Sequence, residues 1–156
     1  MKSVTSLKAT LLNQRAFTLI EILIAVAITA IIAAIAWPAY SSFIFKSDVR
    51  AAQADLLSLS LKMESQYQRT LQYPVVADDK KNTTAGIMDT LALKGWSPNS
   101  NPKDFNFRFE ATTTTAYKIT AEGKSDSRQK DCKISLTQDN VRTTANCKYV
   151  TDGKWL

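Results

Sequence analysis

Hydrophobic positions are distributed very unevenly along this chain. From Ile22 to Trp37 the sequence reads ILIAVAITAIIAAIAW, sixteen residues with Thr29 as the one polar side chain. Adding Phe17 to Ile20 gives about 20 residues, enough for roughly 30 Å of helix and one bilayer crossing. A carboxylate, Glu21, lies near the start of the run. The segment before it, MKSVTSLKATLLNQRA, carries Lys2, Lys8 and Arg15 and no acid. That asymmetry holds the leader in the cytoplasm and sends the rest of the chain outward.

Helical patterning continues past Pro38. Val49, Ala52, Leu56, Leu59, Met63, Tyr67 and Leu71 step by three or four residues and form one apolar face. Gln53, Asp55, Lys62, Glu64 and Arg69 are mostly set away from it. The face ends at Gln72-Tyr73-Pro74, because the residue before a proline is pushed out of the α region. A helix from Phe17 to about Leu71 would run roughly 80 Å, its first half embedded in lipid or in a filament, its second packed on a domain.

Residues 74–104 are polar and turn-rich, with a short helix expected from Gly86 to Lys94. Asp78-Asp79-Lys80-Lys81 reads as a solvated loop, since two carboxylates followed by two lysines lack the ligand pattern of a calcium loop. Period-two alternation then takes over. Phe105, Phe107 and Phe109 predict one strand, and Thr112 to Thr115 a turn. Tyr117, Ile119 and Ala121 predict a second strand, Cys132, Ile134 and Leu136 a third, and Cys147 to Val150 a short fourth. The expected fold class is α+β, with the second half of the long helix packed on a four-stranded antiparallel sheet.

Composition narrows the chemistry. The 156 residues include no histidine, which removes the usual general base and the commonest transition-metal ligand. Two cysteines cannot build a thiolate zinc site, and four scattered glycines leave no phosphate-cradling loop. No enzyme activity, metal or cofactor is expected. The formal net charge is +6, but removing Lys2, Lys8 and Arg15 from the 20 basic residues leaves 17 against 14 acidic ones. Lys124, Arg128, Lys130 and Lys133 form a basic run interrupted by Asp126 and Asp131, which reads as a solvated face with at most weak DNA binding.

Three readings fit the apolar segment. It could be a cleaved signal peptide, since Ala34-Ile35-Ala36 has the form of a cleavage site. It could be a plain membrane anchor, or a segment retained after a cut on its amino-terminal side. Glu21 argues against the first two, because a carboxylate in a membrane segment costs on the order of 2–3 kcal/mol and marks a functional pairing. Ala16-Phe17-Thr18-Leu19-Ile20-Glu21 with the Ile/Ala/Leu run after it resembles the class III signal of type IV pilins and pseudopilins.

That resemblance implies cleavage by a prepilin peptidase between Ala16 and Phe17, and N-methylation of Phe17. It implies subunit assembly through Glu21, whose carboxylate would receive the amine of another subunit, and a helix kink at Pro38. Where the family has glycine this chain has Ala16, which implies slower processing, and Trp37 is bulkier than the family's aliphatic residue. The domains implied are a leader over 1–16, a membrane or filament-core helix over 17–38 and a head over 39–156.

A looser resemblance covers most of the remaining chain. Asp48 with Val49-Arg50-Ala51-Ala52-Gln53-Ala54-Asp55-Leu56-Leu57, then Tyr67 and Tyr73-Pro74, then Asp131-Cys132-Lys133-Ile134-Ser135-Leu136-Thr137 with Cys147 fifteen residues beyond Cys132, is similar to PilE-type minor pilins. It implies a hetero-oligomeric filament of pilin subunits, built at an inner-membrane assembly platform. The head would be periplasmic before assembly and extracellular afterwards, with twitching motility, adhesion or DNA uptake as outcomes. Under that export reading Cys132 and Cys147 are expected to form a disulfide. A major pilin or a type II secretion pseudopilin shares the leader equally well, and a DNA-binding competence pilin is the rival of another class.

Overall fold

The computed structural model describes residues 17–156, so the leader, Ala16 included, lies outside the described residues. The chain divides into two units, with the boundary between Pro38 and Ala39. Helix α1 is assigned over Leu19–Thr70, with Pro38 inside it. Its residues up to Pro38 belong to the first unit. Their large side chains are exposed, Ile22, Ile28, Ile32 and Trp37 among them, as no protein in the structure covers them.

In the second unit, α1 buries Phe45, Val49, Ala52, Leu56, Leu59 and Met63. The expected stripe therefore holds from Val49 to Met63 and fades beyond. Tyr67 is 37% exposed and Leu71 75% exposed. Leu71 adopts a left-handed φ of 56° and its N–H reaches the Tyr67 carbonyl at 2.7 Å, which closes the helix end. A second departure lies on the polar side: Gln53 and Asp55, expected to face away from the core, are buried.

After α1 the chain forms α2 over Thr84–Met88 and a single 3-10 turn over Leu91–Leu93. The single helix expected from Gly86 to Lys94 is thus two shorter pieces. Thr83 starts α2 by accepting the Gly86 N–H on its hydroxyl at 3.1 Å. The sheet follows, with β1 over Phe105–Thr112, β2 over Tyr117–Gly123, β3 over Lys133–Thr137 and β4 over Arg142–Ala145. It is an antiparallel meander in the order β1-β2-β3-β4.

The register aligns the inward rows. Phe109 pairs with Ile119 and Ile119 with Leu136, while Phe107, Ala121, Ile134 and Thr144 form the next row. These residues and the buried face of α1 belong to one core. The fourth strand corrects the sequence expectation. It runs over Arg142–Ala145, and residues 147–150 form a turn. Along β4 only Thr144 is buried, so the strand carries no apolar alternation from which it could be read. The carboxy-terminal tail covers its outer edge: the Gly153 N–H donates to the Thr144 carbonyl at 2.8 Å, and the Thr144 hydroxyl bonds the Thr151 and Lys154 carbonyls.

Polar groups of α1 fasten the loops around it. The Asp55 carboxylate accepts the backbone N–H of Asn99 and of Ser100, both at 2.8 Å. Ser58 accepts the Trp96 indole N–H at 2.9 Å, and the Gln66 amide donates to the Ala92 carbonyl. Near the helix end, Glu64 accepts the hydroxyls of Tyr73 at 2.8 Å and Tyr117 at 3.4 Å. Burial and then the Glu64 carboxylate push the Tyr73 hydroxyl up to about 12. Burial, ahead of Glu64, pushes Tyr117 up as well.

Replacing Asp55 by alanine leaves two backbone donors of the 99–100 turn without their acceptor. The expected loss is about 3 kcal/mol in urea unfolding, with Asp55→Asn milder because one oxygen acceptor remains.

Candidate assembly segment and head surface

At the start of the first unit Thr18 is the N-cap of α1. The Glu21 N–H donates to the Thr18 hydroxyl oxygen at 3.3 Å, and Glu21 Oε2 accepts the Thr18 N–H and hydroxyl, each at 3.2 Å. This is a capping box, in which the residue before the helix and the third residue inside it satisfy each other's donors. The Thr-x-x-Glu spacing was legible in the sequence, yet the assembly role assigned to Glu21 took no account of it. The Thr18 N–H belongs to the Phe17–Thr18 peptide bond, so a cut before Phe17 leaves the box intact. Phe17 itself is 77% exposed and precedes the helix, while Ala16 is outside the described residues.

Ile22, Ala25, Val26, Thr29, Ala30 and Ala33 line a shallow apolar groove farther along this unit. The small residues Ala25, Thr29 and Ala33 recur every four positions, a spacing that lets another helix approach closely. The Thr29 hydroxyl donates to the Ala25 carbonyl at 2.7 Å, so it presents no unpaired polar group.

In the head, Cys132 and Cys147 are joined by a disulfide. It links the residue before β3 to the segment after β4, and both cysteines are buried. The basic run expected to be a solvated face is largely engaged with its own protein. Lys124 donates to the Pro102 carbonyl at 2.6 Å, Lys133 pairs with Glu122 at 3.2 Å and Arg128 lies 3.6 Å from Asp48. Lys130 is exposed. On the outer face of the sheet, Arg108 and Lys118 bridge to Glu110, and Arg108 and Lys133 to Glu122. The hydrogen bond from Lys118 is the main reason the Glu110 carboxyl sits below its usual value.

Behind the basic run lies a group that the sequence did not reveal. Gln129 is fully buried and its amide donates to Asp48 Oδ2 at 3.0 Å. Gly123 makes room for this loop, since a Cβ there would stand 1.7 Å from the Gln129 carbonyl oxygen. Asp104, also buried, has no hydrogen-bond partner on Oδ2 among the described residues. Burial and then the charge of Asp48 push the Asp104 carboxyl above its usual value, opposed by Arg128 and a hydrogen bond from Asn101. Among the described residues no cluster of three or more His, Cys, Asp or Glu side chains could hold a metal ion.

Comparison with known proteins decides the family. Residues 38–137 match the family model described as type IV minor pilin ComP, DNA uptake sequence receptor. The chain belongs to the type IV minor pilin family. Residues 11–37 match the prokaryotic N-terminal methylation motif. The chain is 36% identical over 84 residues to the type IV major pilin PilE of Neisseria gonorrhoeae, covering 53% of this chain and 46% of that one. It is 32% identical over 88 residues to the type IV major alpha-pilin of Moraxella bovis, covering 56% and 55%. This pilin thus spans about half the length of the curated relatives it matches. The non-core minor pilin PilV of Neisseria meningitidis aligns at a TM-score of 0.47 and 13% identity, over 67% of this chain and 89% of that structure.

The raised Asp104 carboxyl has a consequence for stability. The folded pilin holds this proton more tightly than the unfolded chain, so Asp104 destabilises the fold at neutral pH. That penalty is relieved as pH falls through the raised folded value toward the unfolded one. Asp104→Asn is therefore expected to raise the melting temperature at pH 7, and the gain over wild type should shrink toward pH 4.

Proposed function

We propose that this chain is a minor subunit of a type IV pilus, made as a prepilin and built into the filament through its apolar helix. The observation that carries the reading is the continuous match to the minor pilin family directly following the methylation motif. A prepilin peptidase cuts between Ala16 and Phe17, and the new amine of Phe17 is methylated. Before assembly the apolar helix spans the inner membrane once with the head in the periplasm. At the assembly platform it joins other pilins, with Pro38 as a bend in the helix. The pilus then carries the head outside the cell, where motility, adhesion or DNA uptake follow. Pilins are structural proteins, and no catalytic role is assigned to this one.

Glu21 supplies the assembly chemistry. The amine created at Phe17 is a cation at the positive end of a helix dipole, which is unfavourable without a counter-ion. A neighbouring subunit's Glu21, in a low-dielectric bundle, provides one. The capping box uses Glu21 Oε2, so the second oxygen is the one directed to the incoming amine. The groove at Ala25, Thr29 and Ala33 gives the partner helix a close approach.

A second reading, DNA reception, is favoured by the description of the matched family. The head exposes Arg50, Lys62, Arg69, Lys94, Lys103, Arg128, Lys130, Arg142, Lys148 and Lys154, scattered over several elements, while Lys124 and Lys133 are engaged internally. Contact with phosphates through cations dispersed in this way would be strongly salt-dependent. A secretion pseudopilin is less favoured, given the disulfide in the head and the family match.

Glu21→Gln separates the two duties of this residue. Glutamine keeps the capping box and removes the charge. Membrane insertion and processing are expected to be unchanged, and the amount of this protein in sheared pili relative to the membrane pool to fall at least tenfold. Unchanged incorporation would contradict the amine–carboxylate role.

A further inference from the structure

Beyond the assembly helix, the head carries a pocket of about 290 Å³ lined by Ser41, Phe45, Arg128, Lys148 and Tyr149. Tyr149 holds a left-handed φ of 62°, a conformation that a bulky L residue adopts only where the surroundings enforce it. Its ring meets Phe45 edge-on at 5.8 Å, and the Lys148 ammonium sits 5.0 Å from the ring centroid. Lys148, and then Ser41, hold the Tyr149 hydroxyl below its usual value. Arg128, 64% exposed, enters from the loop before β3, its Nη2 3.6 Å from Asp48. Lys148 has no acidic partner among the described residues. Two cations and an aromatic wall thus converge on a space suited to a single anionic group.

The position of this pocket along the chain names the occupant. Ser41 follows Trp37, the last residue of the apolar run, by four residues, and four residues span at most about 14 Å even when fully extended. Exposed Tyr40 and Phe43 lie in the same stretch, the residue types that settle at the membrane–water interface. We propose that the pocket binds the phosphate headgroup of an anionic phospholipid while the subunit waits in the membrane. This rests on the membrane-anchored reading of the apolar helix. The headgroup is released when the subunit leaves the bilayer for the filament. Duplex DNA is the less fitting occupant, because the pocket admits one phosphate and the leash to the apolar run keeps it at the bilayer surface.

The test uses the full chain in vesicles of phosphatidylcholine, with and without phosphatidylglycerol. Native mass spectrometry of protein released from the mixed vesicles is expected to show phosphatidylglycerol carried with it. Arg128→Ala combined with Lys148→Ala should lower that carry-over about thirtyfold, each basic side chain at an anionic surface being worth about a factor of five. Arg128→Lys with Lys148→Arg keeps both charges and should restore most of it. Wild type and variants must float equally with pure phosphatidylcholine vesicles. Loss of flotation in wild type would overturn the membrane-anchored reading, and the proposal with it. Equal carry-over in the alanine variant with flotation intact would overturn the pocket alone. Displacement of the lipid by millimolar inorganic phosphate, or binding of a short DNA duplex that depends on Arg128 and Lys148 while phosphatidylglycerol has no effect, would overturn the lipid assignment.

Discussion

A carboxylate at the head of an otherwise apolar helix has to be compensated, and the rest of this pilin's biology follows from how that is done. Within one subunit, Glu21 closes the capping box with Thr18 and so holds the first turn of α1. Capping alone does not require a charge, since glutamine serves the same geometry. A carboxylate there costs free energy in lipid, and it lies inside residues 11–37, the stretch that matches the methylation motif. In the proposed assembly, a cationic amine at Phe17 and an anionic Glu21 are complementary between subunits. In the proposed function the apolar run serves as membrane anchor and as filament core in turn.

The head is organised by the opposite strategy, polar groups buried with partners. Apolar side chains of α1 and the inward rows of the sheet form its core, but the long loop between α1 and β1 is held chiefly by Asp55, Ser58 and Gln66. At the other end of the sheet, the disulfide and the tail fasten β4, whose own side chains bury little. Asp104 is one exception among the described residues, a buried carboxylate with one oxygen unsatisfied, and it is placed against Asp48 and Arg128 behind the basic run.

Legibility in the sequence tracked periodicity. The apolar run, the stripe from Val49 to Met63 and the Phe105, Phe107, Phe109 alternation each repeat often enough to define an element. Where an element is short or its buried residue is polar, pattern gave no warning. Thr144 is the only inward residue of β4, and the apolar pair Tyr149 and Val150 drew the expected strand too far along the chain. Asp55 looked solvent-facing because charge implies exposure on average, and only the position of residues 99–100 in space makes it an acceptor. Leu71 fits the helical period, yet the chain has left the helix by then. In the site, the Thr18–Glu21 spacing was visible beforehand, whereas the Tyr149 pocket joins residues 41 to 149 and depends on the tertiary fold.

Everything assigned to Glu21 depends on the apolar helix being retained after processing, and the intact mass of the protein recovered from sheared filaments and membranes measures that directly. The expected mass is that of residues 17–156, with one methyl group on the Phe17 amine and Cys132 and Cys147 oxidised. A mature chain beginning at Trp37, after a cut following Ala34-Ile35-Ala36, would contradict it, because the apolar helix and Glu21 would then have been discarded with the leader.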